Sequence, residues 1–232
     1  MENKQTDKVL ANFYNEIFPT VSLHHMKKIL FLTLLLFLTA CGKSEKVFSK
    51  LPSDAVIMAF GDSLTYGTGA DKTQSYPSVL AQLSSHTVIN SGVPGEISAD
   101  GLKRLPALLD EQHPQLLILI HGANDILRNI PREQTAANLT RMIAEAKQRN
   151  IKVVMLGVPT FGVYSLLGLT SLESAKIYQQ VAEAEKVPID LESLPAIIEN
   201  RKLKSDKVHP NGQGYQRLGD AVFKLLQETG AL

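Results

Sequence analysis

Short apolar runs alternate along this chain with segments of helical periodicity. The runs that predict β-strands are 55–60, 87–90, 116–120, 152–158 and 189–191. The segments that predict helices are 76–83, 98–112, 132–148, 172–186 and a last one that follows Asn211 and runs towards Glu228. The run 116–120 is apolar throughout, as in a strand that is covered on both faces. The alternation predicts a three-layer α/β/α sandwich with a mostly parallel five-stranded sheet.

Residues able to do chemistry follow four of the predicted strands. They are Ser63 after the first strand, Gly95 after the second, Asn124 after the third and the apolar segment around Phe161 after the fourth. Ligands of parallel sheets bind outside the carboxyl ends of the strands. We therefore expect these four positions to meet at one edge of the sheet.

Ser63 is the candidate nucleophile, because it stands on a turn directly after an apolar strand and close to Gly61. Such a serine needs a base, and a histidine held by a carboxylate is the usual one. Asp206 and His209 lie three residues apart, so one loop could supply both. The alternatives are a serine that caps the next helix and an ordinary Asp and His in a solvated loop.

Four segments of the chain, in this order, resemble the sequence blocks of the SGNH (GDSL) hydrolase family. They are Gly61-Asp-Ser-Leu, the glycine Gly95, Gly122-Ala-Asn124-Asp125 and Asp206-Lys-Val-His209. The resemblance runs from about residue 55 to the end of the chain and implies the SGNH-hydrolase, or flavodoxin-like, fold. The segment after Gly95 resembles the lysophospholipase, thioesterase and arylesterase branch of the family.

The resemblance also implies roles for the residues of the site. Ser63, His209 and Asp206 would form a catalytic triad, and no metal or cofactor would take part. The oxyanion would be held by the N–H of Ser63, the N–H of Gly95 and the side-chain amide of Asn124. Gly92 is the alternative to Gly95, and Asn124 could instead be a turn residue. Apart from the resemblance, Asp62 and Asp125 each neighbour one of these residues and are expected to brace their turns, and Asp125 could pair with Arg128 one helical turn further on.

The implied function is a serine esterase that acts through an acyl-enzyme on acyl esters, lysophospholipids and acyl thioesters. The apolar segment 161–169 could line an acyl pocket with Phe161, Tyr164, Leu166 and Leu167, or its part 166–169 could equally begin a buried helix. Two other functions stay open. One is a carbohydrate or peptidoglycan O-acetylesterase of the same family, and the other is a catalytically silent lipoprotein that only binds.

Composition and charge exclude other classes of function. The chain has 24 Lys and Arg against 23 Asp and Glu, a net charge of +1, so no basic surface for nucleic acid is expected. No cluster of His, Cys and Glu has the spacing of metal ligands. The length suits one domain with a substantial core, and we expect a monomer.

The first part of the chain predicts export. Lys27 and Lys28 precede the apolar run 29–40, which is shorter than the roughly 20 residues that a transmembrane helix needs, as in a secretory signal. The sequence Leu38-Thr-Ala-Cys41 resembles a bacterial lipobox, whose cysteine is acylated. A chance cysteine after an ordinary cleavage site is the alternative.

These features predict the organisation of the chain. Residues 1–40 are a leader in which 26–40 form the signal peptide and 1–25 precede a true start at Met26. Residues 41–53 form a lipidated tether, and 54–232 form the hydrolase domain. The protein is then expected at the periplasmic face of a bacterial membrane, the outer more than the inner, held through acylated Cys41.

Overall fold

The computed structural model describes residues 46–161 and 171–232, and its described strands form one parallel sheet. The strands are β1 (Val56–Gly61), β2 (Thr87–Gly92), β3 (Leu116–Ile120), β4 (Lys152–Leu156) and β5 (Ile189–Asp190), in the order β2-β1-β3-β4-β5. Every pair of neighbours is parallel. The predicted α/β fold is therefore confirmed, and the described sheet is wholly parallel.

Helices flank this sheet. They are α1 (Ser63–Tyr66), α2 (Tyr76–Ser84), α3 (Ser98–Gln112), α4 (Ala123–Leu127), α5 (Arg132–Gln148), α6 (Lys176–Glu185), α7 (Ser193–Glu199) and α8 (Gly212–Thr229). Helix α2 packs against α8, whereas α3 packs against α5 and α5 against α6. The chain moves one way from β1 to β2 and the other way from β2 to β5. Right-handed crossovers therefore place the two groups of helices on opposite faces.

The core explains why β3 has no polar position. All five residues of Leu116–Ile120 are buried, because β3 lies inside the sheet and is covered on both faces. The strand order reverses between β1 and β3. The chain leaves β1 for β2 on one side of it and then returns to β3 on the other side. Such a reversal opens a crevice at the carboxyl ends of the two strands, which is the usual binding place in an open α/β sheet.

Two predicted boundaries differ from the structure by more than two residues. The helix expected over 172–186 begins at Lys176, because the preceding residues are extended and Ser174 forms a bridge with Pro159. The domain also begins before residue 54. The N–H groups of Phe48 and Leu51 donate to carbonyls near the C-terminus at 2.9 and 2.8 Å, and Leu51 is buried. Apolar side chains in the predicted tether thus join the packed unit, which extends from residue 46.

The short helices α1, α4 and α7 were not predicted, since they are too short to show a helical period. Within residues 46–161 and 171–232, none of the helices combines the length and apolar character that crossing a membrane requires.

Candidate active site

Ser63 lies at the start of α1, directly after β1, and is almost fully buried. The carboxylate of Asp62 caps this helix by accepting the N–H of Leu64 at 3.1 Å. Gly61 is required by close packing rather than by the turn that the sequence suggested. A Cβ at this position would lie 1.9 Å from the carbonyl oxygen of Ile120 on β3. Serine is therefore held at the crevice between β1 and β3.

The loop before α8 brings Asp206 and His209 to Ser63. The Nε2 atom of His209 lies 2.9 Å from the Oγ atom of Ser63, and its Nδ1 atom lies 2.7 Å from Oδ2 of Asp206. In the tautomer with its proton on Nδ1, the Nδ1–H group donates a hydrogen bond to the carboxylate. The unprotonated Nε2 atom can then accept the serine proton. The three residues proposed from the sequence thus form one continuous hydrogen-bonded chain.

The Asp206 carboxylate is suited to hold a charged imidazole. Its Oδ1 atom accepts the backbone N–H groups of Val208 and His209, each at 2.8 Å. Burial opposes ionisation, but the hydrogen bonds from the His209 ring and from these two N–H groups outweigh it. They hold the pKa of Asp206 below its usual value. Asp206 is therefore a carboxylate at neutral pH.

This loop is fixed on both sides. The Ser205 N–H donates to the His209 carbonyl at 3.0 Å, which closes the loop. Asn211, after which the last helix was expected, caps α8 by accepting the N–H of Gly214 at 3.0 Å. The hydroxyl of Tyr215 on α8 donates to the carbonyl of Thr68 at 2.9 Å, and Thr68 follows α1. The histidine and the serine are thereby held on connected elements.

Two backbone N–H groups beside the serine have no partner in the described ranges. The N–H groups of Ser63 and Gly95 bond to no acceptor within 46–161 and 171–232. Gly95 has a φ of +79°, a conformation that glycine adopts without strain. Gly92, the alternative, instead donates its N–H to Oδ1 of Asn90 at 3.0 Å and ends β2. The geometry therefore favours Gly95 over Gly92 as a free donor.

Asn124 lies in the first turn of α4, after β3. Its Nδ2 atom donates to the backbone carbonyl of Glu96 at 2.9 Å. A side-chain amide has two N–H donors, so one remains for a ligand. Asn124 and Gly95 both line a cavity that also contains Ser63 and His209.

The cavity has a volume of about 240 Å³ and largely apolar walls. Its lining residues are Ser63, Leu64, Thr68, Pro94, Gly95, Ala123, Asn124, Leu127, Phe161, Val208 and His209. Phe161 was expected at the site, whereas Tyr164, Leu166, Leu167 and the predicted lipidation residue Cys41 lie outside the described residues. The walls formed by Pro94, Leu127 and Val208 were not expected from the sequence. Each is close to a motif residue, which is the one signal that could have indicated them.

Asp62 and Asp125 bind backbone groups. Burial raises the pKa of Asp62, whose second oxygen accepts the N–H of Ala123 at 3.3 Å and so connects the turn after β1 to α4. The predicted pair between Asp125 and Arg128 is wrong. Asp125 accepts the N–H of Ser98 at 2.8 Å, while Arg128 donates to the carbonyl of Gly95 at 2.9 Å.

A serine bonded to an imidazole that is bonded to a carboxylate, beside free N–H groups, is the arrangement found in serine hydrolases. In this chain it stands at the carboxyl edge of a parallel sheet. A family model for the GDSL-like lipase/acylhydrolase family matches residues 59–217. The chain belongs to this family and is a GDSL-type esterase.

Curated relatives support the assignment. The chain is 30% identical over 182 residues to esterase TesA of Pseudomonas aeruginosa, which covers 74% of this chain and 87% of that protein. It is 32% identical over 182 residues to an arylesterase of Vibrio mimicus, with 73% and 87% covered. It is 28% identical over 178 residues to thioesterase 1/protease 1/lysophospholipase L1 of Escherichia coli K12, with 74% and 83% covered.

The fold is shared with a solved structure. The crystal structure of TesA matches with a TM-score of 0.65 at 28% identity and covers 74% of this chain and 98% of that one. A further relative is a Bacillus subtilis protein named uncharacterized lipoprotein YqeF. It is 28% identical over 144 residues, or 56% of each chain.

Proposed function

We propose that this esterase hydrolyses acyl esters through an acyl-enzyme formed on Ser63, with His209 as the base and Asp206 as its partner. The observation that carries the proposal is the unbroken series of contacts at 2.9 and 2.7 Å from Ser63 through His209 to Asp206. Each contact falls within the reach that proton transfer and ring orientation require.

The reaction follows from this geometry. The Ser63 hydroxyl oxygen attacks the ester carbonyl carbon while its proton passes to Nε2 of His209. The carbonyl oxygen becomes negative and is bound by the N–H groups of Ser63 and Gly95 and the amide of Asn124. The protonated imidazole then gives its proton to the leaving alcohol, which departs. Water repeats the sequence on the acyl-enzyme and releases the acid.

The apolar walls of the cavity suit the acyl chain of an ester substrate. Pro94, Leu127, Phe161 and Val208 surround the polar atoms with apolar surface. Burial of each methylene contributes about 0.8 kcal/mol, so such walls favour chains longer than acetate. The names of the relatives include arylesterase, thioesterase and lysophospholipase. We propose acyl esters, lysophospholipids and acyl thioesters as the substrate class of this chain.

A panel of p-nitrophenyl esters from acetate to palmitate tests the proposal on the full-length chain in mild detergent. We expect turnover to rise beyond acetate and to disappear when Ser63 is replaced, Ser63→Ala. A maximum at acetate would favour the O-acetylesterase. Folded protein without serine-dependent turnover on any ester would contradict the proposal and favour a binding lipoprotein.

We further propose that the enzyme is exported and held at the periplasmic face of a bacterial membrane through acylated Cys41. The lipobox-like sequence before this cysteine and the relative named a lipoprotein support the proposal. In a bacterial host, Cys41→Ser is expected to abolish labelling by radioactive palmitate and to release the activity from the membrane fraction. Unchanged labelling and fractionation would contradict the anchor.

A further inference from the structure

Glu96 connects two segments that supply oxyanion donors. One is the turn that contains Gly95, and the other is helix α4, which contains Asn124. Glu96 follows Gly95 directly in the chain, and its own backbone carbonyl accepts the Asn124 side-chain amide at 2.9 Å. Its N–H donates to the carbonyl of Val93 at 3.2 Å and closes the turn that contains Gly95. A displacement of Glu96 would therefore move the Gly95 N–H and the Asn124 amide together.

Arg104 on α3 holds the Glu96 carboxylate from one side. Its Nε and Nη2 atoms donate to the two carboxylate oxygens, both at 2.7 Å, which is the bidentate geometry of a strong ion pair. The same Nη2 atom donates to the carbonyls of Ser91 at 2.8 Å and Gly61 at 3.2 Å. These carbonyls lie at the carboxyl ends of β2 and β1. The guanidinium thus connects Glu96 to the strands that lead to Gly95 and Ser63.

His121 at the end of β3 holds Glu96 from the other side. The buried His121 ring places Nε2 3.0 Å from Oε2 of Glu96 and Nδ1 2.9 Å from the N–H of Gly122. Since Nδ1 accepts that N–H, the ring proton is on Nε2 and is donated to the carboxylate. Gly122 precedes α4, which contains Asn124. Gly101 permits the close approach, because a Cβ there would lie 2.3 Å from Nε2.

The Glu96 carboxylate is charged in this setting. Burial opposes ionisation, but the hydrogen bonds from His121 and Arg104 outweigh it and lower the pKa of Glu96. Its side chain is only 8% exposed, so water does not replace these partners. Among the described residues, the carboxylate makes no hydrogen bond or ion pair with Ser63 or His209. The contacts of Glu96 therefore fix the positions of the Gly95 N–H and the Asn124 amide and take no part in proton transfer between Ser63 and His209.

We infer that Glu96 is a positioning residue that sets the spacing of the Gly95 N–H and the Asn124 amide around the oxyanion, with Arg104 and His121 as its supports. This inference rests on the proposed esterase function. Oxyanion donors act through fixed geometry, and loss of one donor typically costs about 10²–10³ in kcat. Misplacement of two donors by a fraction of an ångström should therefore appear in kcat rather than in KM.

The test is Glu96→Gln in the full-length chain, measured on the best p-nitrophenyl ester. Glutamine keeps the shape, but its NH₂ group would face one of the donors of Arg104 or His121. We expect kcat to fall by about 10- to 100-fold, less than for Asn124→Ala, with KM changed by less than about two-fold. Asp100→Asn is the matched control, because among the described residues the Asp100 carboxylate pairs only with the exposed Lys103, and both lie on α3 with Arg104.

A double variant distinguishes a loss of donor positioning from a general loss of structure in the enzyme. In the Asn124→Ala background, Glu96→Gln should cost several-fold less than it does alone, because part of what it positions is already absent. Equal losses in both backgrounds, or a Glu96→Gln enzyme within two-fold of the parent, would overturn the inference. If Glu96→Gln does not fold, Arg104→Lys provides the same test, since lysine cannot make the two parallel bonds. Absence of Ser63-dependent turnover in the parent would instead refute the proposed function.

Discussion

His209→Ala is expected to lower kcat on p-nitrophenyl esters by on the order of 10⁴-fold or more, with little change in KM. The His209 Nε2 atom lies 2.9 Å from Ser63 Oγ, and no other imidazole bonds to that oxygen among the described residues. Without it, the serine must lose its proton to water. Steady-state kinetics near neutral pH measure the effect.

The same contact predicts strong non-additivity. A residue pair that acts as one unit loses nearly everything when either member is removed. The double variant Ser63→Ala/His209→Ala should therefore be no slower than Ser63→Ala alone. The matched control is His86→Ala, because His86 precedes β2 at the opposite edge of the sheet and its ring bonds to the carbonyls of Ser84 and Pro52. If His209→Ala keeps a tenth of the parent activity, His209 is not the base.

Asp206→Asn is expected to lower kcat by about 10⁴-fold at neutral pH while leaving the fold intact. The Asp206 carboxylate accepts a hydrogen bond from the Nδ1–H group of His209 at 2.7 Å and so keeps Nε2 free for Ser63. An asparagine amide can donate to Nδ1 instead, which moves the ring proton to Nε2. That tautomer cannot accept the serine proton.

The pH dependence of stability provides an independent check of Asp206. Its pKa is lower in the folded protein than in the unfolded chain, where it is about 3.9. The carboxylate therefore stabilises the fold above that pH, and this contribution is lost as the pH falls through the lowered folded value. The difference in Tm between the parent and Asp206→Asn should be largest near neutrality and narrow below about pH 3.9. A constant difference would contradict an ionised Asp206.

Asp220→Asn on α8 is the control for both measurements. Asp220 is exposed and bonds only to the Gln216 side chain at 3.1 Å among the described residues. It should leave kcat and the shape of the stability profile unchanged. A loss of activity in this control as large as that of Asp206→Asn would show that the assay responds to any lost carboxylate.

Much of the fold could be predicted because its signals are periodic. The apolar strand Leu116–Ile120 and the amphipathic helices α3, α5 and α8 each repeat a pattern over several residues. The start of α6 was misplaced because the extended pairing of Ser174 with Pro159 overrides a helical pattern. A pairing between distant residues leaves no local pattern.

In the candidate site, too, local motifs were predictable from the sequence and contacts between distant elements were not. Ser63, Asp206 and His209 could be named because each lies in a short recognisable segment. The pairing of Asp125 with Arg128 was a local guess from helical spacing, and it failed because Ser98, on a different helix, offers Asp125 a buried N–H. The bonds of Glu96 to Arg104 and His121 were likewise unpredicted, since they join three separate elements.

The sequence by itself determined the class of the sheet and the family, and it indicated Ser63, His209 and Asp206 as the candidate triad, because these depend on local runs and short motifs. Only the tertiary structure decided that the Ser63 and His209 side chains meet across 146 positions of chain. It also decided that Gly95 rather than Gly92 presents an N–H that has no acceptor among residues 46–161 and 171–232. The physical reason is that such contacts arise from strand order and close packing, which bring together residues whose local sequences carry no information about one another.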